Sequence, residues 1–381
     1  MNAARRIKIL HVVFSLDPGG MENGIVNVAR GLDPAEFEIH VCCLNSTGAF
    51  AERLPQPENV HVLGRKSGFD IRATFKLSRL LSRLKPHVIH SHNLGSLTYA
   101  SLASAFGWRH PILHGEHGLL PPEQCTPRRI RQRAILYRCC RCIHTVSVGQ
   151  KQQLADFRLP VQRIVALING VDTNRFQPGD KAPLRGQLDL PEDAQVMGIV
   201  GRFVGLKRHL DLLEAFDVLA VKNDKAHLLI VGSGGAESDR IHERVWQSPF
   251  KSRIHLAGFQ SDPRPFYQAM DILVVPSIIE GMSNVVLEAM ACGIPVLAHN
   301  ACGNAEMLVH GSDGFVQDLS TAQNLRVAIQ NILADSTALP KIGSQARQNV
   351  VKKFSIAEMI SNYERLYWEV AKSRRSVSNN Y

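Results

Sequence analysis

Glu280 and Glu288 stand with seven residues between them, inside the stretch from Ser277 to Pro295. There an apolar strand ends, a carboxylate appears in a loop, Gly281 and a Ser283-Asn284 cap open a helix, and the second carboxylate falls in that helix's early turns. A carboxylate accepts hydrogen bonds from sugar hydroxyls, while the amides of Met282, Ser283 and Asn284 where the helix opens, with the helix dipole behind them, suit a phosphate. An ordinary loop acid and an ordinary helix-face acid would require no such arrangement. Arg202 and Lys207 lie five positions apart between another strand and its helix, in Gly201-Arg202-Phe203-Val204-Gly205-Leu206-Lys207. A planar guanidinium and a mobile ammonium can together hold a diphosphate. Two solvated surface cations would show the same spacing, so both readings stay open.

Two further places offer chemistry. Gly19 and Gly20 precede Glu22 directly after the first apolar run, where paired glycines let backbone amides approach a phosphate or sugar, or simply make a tight turn. His114, Glu116 and His117 follow one strand, and His90 and His92 follow its predecessor. Imidazoles at adjacent strand ends can hydrogen-bond a hydroxyl or shuttle a proton, although a single histidine is more often structural.

These residues need a scaffold that brings strand ends together. Apolar β-branched runs alternate with helical periodicity, the pattern of βα units on a parallel sheet. In the first half the runs are 8–14, 38–44, 87–90, 111–114, 143–146 and 164–168, with helices at 22–32 and 71–84. A Pro- and Gly-bearing stretch, 169–193, is expected to link two domains, after which strands recur at 196–200, 227–231, 254–256, 271–275 and 295–298. The expected fold class is α/β: two Rossmann-like, doubly wound parallel-sheet domains facing a central cleft. Ligands of such sheets bind beyond the carboxyl ends of the strands, where all the candidate residues fall.

The chain has 381 residues, 45% hydrophobic and 20% charged, which excludes collagen, coiled coil and disorder and fits two domains. Eight cysteines are few for this length and fit a reduced, cytoplasmic chain; Cys139 and Cys142 with nearby His144 lack the second pair that would complete four metal ligands. Arg5, Arg6 and Lys8 before an apolar run resemble a signal peptide superficially, but His11 interrupts the run and it is read as a strand. No apolar run approaches a membrane span. Residues 1–175 hold 23 Lys and Arg against 12 Asp and Glu, a balance of +11, whereas the remainder carries −1. Such asymmetry points to an anionic surface. Arg72, Lys76, Arg79 and Arg83 share one helix face opposite Leu77, Leu81 and Leu84, and Arg128, Arg129, Arg131, Arg133, Arg138 and Arg141 crowd a second segment.

Taken together and in order, these motifs resemble a retaining glycosyltransferase of the GT-B fold, family 4 (glycosyl transferases group 1), such as act in bacterial exopolysaccharide and envelope glycan synthesis. The resemblance rests on Glu280 and Glu288 with the following Ala-Met-Ala-Cys-Gly-Ile-Pro-Val, on Gly201, Arg202 and Lys207, and on residues 169–172 and 231–234. Gly19, Gly20 and Glu22, and His117 with Gly118, complete it in the first half. It implies an acceptor-side domain 1–175 joined by a C-terminal helix of about 356–381, and a nucleotide-sugar domain 176–355. It further implies that Arg202 and Lys207 clamp the donor diphosphate and that Glu288 holds the ribose. Glu280 and the amides of Gly281 to Asn284 would contact the transferred sugar and its phosphate, Gly20 would approach the donor, and His117 would bind a sugar hydroxyl and support charge at the reacting carbon. Catalytic roles thus fall to His117 and Glu280.

No two aspartates lie two residues apart, so no cofactor or metal is expected and leaving-group charge would be met by cations and a helix terminus. The expected partners are a nucleotide-sugar donor, a glycan or lipid-linked acceptor and an anionic membrane surface, placing the chain peripherally on the inner face of the cell membrane. A GT-B nucleotide-sugar epimerase or phosphorylase keeps the fold, but the intact glutamate pair favours the transferase. An anionic-polymer-binding regulatory protein is the alternative of another class; without interleaved aromatics or a nucleic-acid motif, nucleic acid is not an expected partner.

Overall fold

The computed structural model describes residues 6–106, 110–159, 164–279, 281–300 and 302–372. Glu280 and the polar tail from Ser373 lie outside the described residues. The chain divides into two compact units, one of residues 1–169 and 356–381, the other of 170–355.

The first unit carries a seven-stranded parallel sheet: β1 (Ile7–Val13), β2 (Phe37–Cys43), β3 (Val60–Val62), β4 (Val88–His92), β5 (Ile112–Glu116), β6 (Cys142–Thr145) and β7 (Ile164–Ala166), in the order 3-2-1-4-5-6-7. The second carries six parallel strands: β8 (Gln195–Val200), β9 (Ala226–Val231), β10 (Ile254–Gly258), β11 (Ile272–Val275), β12 (Val296–His299) and β13 (Phe315–Gln317), in the order 10-9-8-11-12-13. Strand order reverses at β1/β4 and at β8/β11, the points where open α/β sheets bind ligands. Strands β3 and β13, three residues each, escape the sequence pattern.

Helix boundaries follow local chemistry. Ile71–Leu84 starts where the Asp70 carboxylate accepts from the Arg72 amide at 2.9 Å. It buries Ala73, Leu77, Leu80 and Leu81 at helical spacing and stops at Lys85, whose φ of 48° is left-handed, before Pro86. The helix Ile356–Lys372 closes the first unit: Met359, Tyr363, Leu366, Tyr367 and Val370 pack in one cluster with Ile7, Ile9, Val28 and Phe37. The stretch expected as a linker divides differently. Residues 170–193 belong to the second unit, include the helix Ala182–Gln187 and are tied down by Arg185, buried, which donates to Asp271 at 2.7 Å.

Candidate active site

In the second unit, loops leave β8, β9 and β11 on one side of the sheet. Backbones touch where they meet. Gly232 (φ 143°) lies so close to Gly201 that a Cβ there would fall 1.9 Å from the Gly201 carbonyl oxygen, and Gly235 (φ 105°) would clash with Phe203 in the same way. The Phe203 amide donates to Gly234 at 2.7 Å and that of Glu237 to Phe203 at 3.0 Å, locking these two loops together. Arg202 is exposed; Lys207 is half-buried, with its stem over Gly201. The third loop ends at Ser283, the N-cap of the helix Asn284–Ala291. Contrary to the expected side-chain cap, the Ser283 hydroxyl makes no capping bond and the residue is buried. Gly303 packs against this loop so closely that a Cβ would meet the Gly281 carbonyl oxygen at 1.8 Å.

Glu288 sits one turn into that helix, half-buried, and the Tyr267 hydroxyl donates to its Oε2 at 2.7 Å. Burial pushes its carboxyl up to about 7, against the opposing pull of Tyr267 and Arg175. A carboxyl poised near neutrality and fixed by a phenol offers its second oxygen to a hydroxyl-bearing ligand. The sequence gives no hint of Tyr267, because a tyrosine at an apolar helix position looks like core.

In the first unit the two faces of the sheet separate the histidines. On one face, His114 Nδ1 lies 2.9 Å from the Ser91 hydroxyl and 3.2 Å from the Ser91 carbonyl, and Glu116 receives the Tyr137 hydroxyl at 2.7 Å, Arg133 Nε at 3.1 Å and His114 Nε2 at 3.5 Å. Burial alone would raise the Glu116 carboxyl; hydrogen bonds and charges from His114, Arg133 and Tyr137 instead hold it at about 2. Two expectations fail here. His114 does not join His90, His92 and His117, since it is one residue out of phase with Gly115, and Arg133 is 2% exposed rather than part of a basic surface.

The opposite face gathers His11 of β1, His90 and His92 of β4, His144 of β6 and His117 just beyond β5. His11 pairs in register with His90, and Gly115 lies in register with both His92 and His144. A Cβ on Gly115 would come within 2.5 Å of His144 Nε2 and 2.7 Å of His117 Nε2, so the missing side chain is what lets these rings approach. His11 Nδ1 lies 2.9 Å from His92 Nε2, and His92 Nδ1 lies 2.8 Å from His117 Nε2. His90 Nε2 lies 2.9 Å from His144 Nε2, while His90 Nδ1 and, at 3.4 Å, His11 Nε2 meet the Tyr367 hydroxyl. Burial drives all five imidazoles toward the neutral form, His11 to about 3 and His117 to about 4. His11, His90 and His92 present nitrogens within 4.8 Å of one another, a spacing open to a metal. Their nitrogens are all already engaged, however, and the 2.9 Å separation of His11 from His92 is shorter than the roughly 3.3 Å between two nitrogens ligating one tetrahedral zinc at about 2.0–2.1 Å. His11 and His144 were not expected here, because each sits inside an apolar strand rather than at a strand end.

Gly20 opens the helix Gly20–Gly31, exposed, with Gly19 in extended backbone before it and the Asn23 amide donating to the Gly19 carbonyl at 2.9 Å.

Comparison with known proteins decides the family. Residues 180–349 match the sequence model of glycosyl transferases group 1, and residues 18–175 match that of glycosyltransferase family 4. The chain belongs to the group 1 glycosyl transferases. Among relatives of this glycosyltransferase, the UDP-Gal:alpha-D-GlcNAc-diphosphoundecaprenol alpha-1,3-galactosyltransferase of Escherichia coli is 24% identical, over 95% of this chain and 97% of that protein. The capsular polysaccharide biosynthesis glycosyltransferase CapM of Staphylococcus aureus is 24% identical over 94% and 96%. The lipopolysaccharide core biosynthesis glycosyltransferase LpsE of Rhizobium meliloti is 29% identical over 59% of this chain, spanning 63% of the LpsE length. Among solved structures, Anabaena HepE in complex with UDP-glucose superposes with a TM-score of 0.85 at 23% identity, covering 96% of this chain and all of that one, which establishes the GT-B fold.

Proposed function

We propose that this glycosyltransferase moves a sugar from a nucleotide diphosphate sugar to an acceptor hydroxyl with retention at the anomeric carbon, in exopolysaccharide or other envelope glycan synthesis. The observation that carries the reading is Glu288, pushed up to about 7 beside the phenol of Tyr267, in the same loop-and-helix unit as three glycine-tight strand-end loops. In this reading Glu288 accepts the ribose hydroxyls and the amides of Gly281, Met282, Ser283 and Asn284 receive the phosphate. As the bond between the anomeric carbon and the diphosphate oxygen breaks, negative charge grows on the leaving group. Arg202 and Lys207 meet it, and no divalent metal is required. Glu280 contacts the transferred sugar, Gly20 approaches the donor, and His117 hydrogen-bonds a sugar hydroxyl. The names of the Escherichia coli, Staphylococcus and Rhizobium relatives support an envelope or lipid-linked acceptor.

The test is a nucleotide-sugar screen by thermal shift, followed by proton NMR of the glycoside formed, with one arm in excess chelator. Stabilisation by a single donor, an anomeric coupling matching that donor and undiminished turnover in chelator are expected. An inverted product overturns retention, and loss of turnover restored only by magnesium or manganese overturns the metal-free diphosphate clamp.

A membrane-facing acceptor agrees with one surface of the first unit. Arg72, Lys76, Arg79 and Arg83 are exposed along the helix Ile71–Leu84, and Phe69, Ile71, Phe75 and Phe106 are exposed beside them, with Phe75 and Phe106 rings 5.4 Å apart. Cations with bulky apolar residues fit the headgroup region of an anionic leaflet, each cation contributing about 1 kcal/mol. Salt-sensitive co-sedimentation with anionic but not neutral vesicles is the expected result.

A further inference from the structure

Every nitrogen of His11, His90 and His92 is spent on another member of one unbranched chain, running His144, His90, Tyr367, His11, His92, His117. The links measure 2.9, 2.8, 3.4, 2.9 and 2.8 Å. A neutral imidazole carries one N–H and one lone pair, so it donates on one side only if it accepts on the other, and a phenol in the middle does the same. Such a chain has two orders that use every internal donor and acceptor; a mixed order, with His90 and His11 both donating to the phenol oxygen, would leave the Tyr367 O–H without an acceptor in the chain. In the first, His144 protonated at Nε2 donates to His90, and His90, His11, His92 and His117 are all protonated at Nδ1. In the second, every proton sits on the opposite nitrogen.

The far end separates the two orders. His144 Nδ1 is buried and makes no hydrogen bond of normal geometry among the described residues, although the Thr145 backbone lies close enough to the ring to favour its protonated form. The second order would place an N–H there with no well-aligned acceptor, whereas the first leaves only an unused lone pair, and a poorly satisfied buried N–H is the rarer of the two.

We propose that this relay holds His117 as its Nδ1–H tautomer, with His144, His90, Tyr367, His11 and His92 acting as positioning residues. His117 Nε2 is then committed to receiving the His92 proton, and Nδ1–H is the donor turned to an oxygen of the ligand. This function for the end of the chain rests on the reading of His117 as the group that meets a sugar hydroxyl; the relay itself does not. Tyr367 is the one member carried by neither a strand nor the loop after one, so the C-terminal helix reaches the site through a hydroxyl. Burial supports the scheme, because it keeps all five rings neutral near pH 7 and leaves no imidazolium to donate at both ends.

The test uses the full chain without donor, labelled with 15N-histidine, in which long-range proton–nitrogen spectra report which nitrogen of each ring carries hydrogen. Expected are Nδ1–H for His11, His90, His92 and His117 and Nε2–H for His144. Rings that disagree with this single order, or His117 protonated at Nε2, overturn the proposal without any variant being made. Tyr367→Phe keeps the aromatic ring and removes only the link. His117 should then show a mixture of tautomers, and kcat should fall about tenfold with the donor KM unchanged. An unaltered His117 signature in that variant would show that the relay ends before the C-terminal helix. If the tautomers are as expected but no sugar is transferred, the functional reading fails and the relay stands.

Discussion

Both units are built on one plan, a parallel sheet whose strand order reverses beside its first strand, yet they furnish that reversal differently. At β8/β11 the second unit offers cations, a carboxyl held near neutrality and backbone pressed against backbone at Gly201 and Gly232. At β1/β4 the first unit offers five imidazoles kept neutral by burial and joined through a tyrosine. One plan thus supports a site that answers charge and a site that answers hydrogen-bond direction. The difference is made by side chains at a few register positions, not by the topology.

The largest effect should come from the charged side. Lys207→Ala should lower turnover about a hundredfold or more, a few kcal/mol of transition-state stabilisation, by analogy with deleting one preorganised donor. A variant with native kcat would remove charge from the second unit's role and with it half of the contrast. Acid should then tell the units apart. The five imidazoles of the first unit stay neutral when folded, His11 down to about 3 and His117 to about 4, whereas in the unfolded chain they take up protons near 6.5. Their contribution to stability is complete above pH 6.5 and drains as pH falls toward 4, by roughly 1.4 kcal/mol per pH unit for each ring that stays neutral. The second unit also holds lowered histidines, His209 and His227 to about 4, but fewer of them in one place. Glu288 acts oppositely there, stabilising most below its unfolded value of 4.5 and less as pH rises to about 7. Amide exchange at pH 5 should therefore open β1, β4 and β6 before β8 and β11; the reverse order would contradict the contrast. The smallest effect concerns Glu288 itself. Nucleotide diphosphate should bind more tightly as pH rises through about 7 and the carboxylate forms, and Glu288→Gln should flatten that profile while weakening binding about tenfold. A flat profile in the native chain would detach Glu288 from the ribose.

The strands that lie inside the sheets are legible in the sequence to within two residues at most ends, because burial on both faces demands continuous apolar runs. The strands β3 and β13 are not, since each three-residue edge carries a polar residue, His61 or Gln317, whereas β7, an edge of the same length, lies in the unbroken apolar run 164–168. Arg202 and Lys207 follow β8 and Glu288 falls one turn into the helix after β11, the local positions that the sequence pattern implies, while Glu280 lies outside the described residues. The imidazole relay is only half legible. His90 and His92, two apart, announce a shared face, but their partners come from β1 and β6 through register, a relation between segments that no local window contains. Tyr367 belongs to an apolar stripe at helical spacing, and only packing shows that its hydroxyl is used. Arg133 was readable after all: it falls in step with Ile130 and Tyr137, on the side of its helix that a sheet must cover.

The closing helix also sets a timetable. His11 and Tyr367 are 356 positions apart, so at roughly 5–20 residues per second a ribosome needs about 20–70 seconds between making the first and making the second. During that interval the second unit, a continuous run from 170 to 355, can be completed, while the first waits with one face of its sheet uncovered. A face of valines left open for that long would invite association with other nascent chains. Imidazoles accept water until the last helix arrives, so the open face is polar toward the strand ends, and only the part around Ile7, Ile9 and Phe37 waits uncovered as apolar surface.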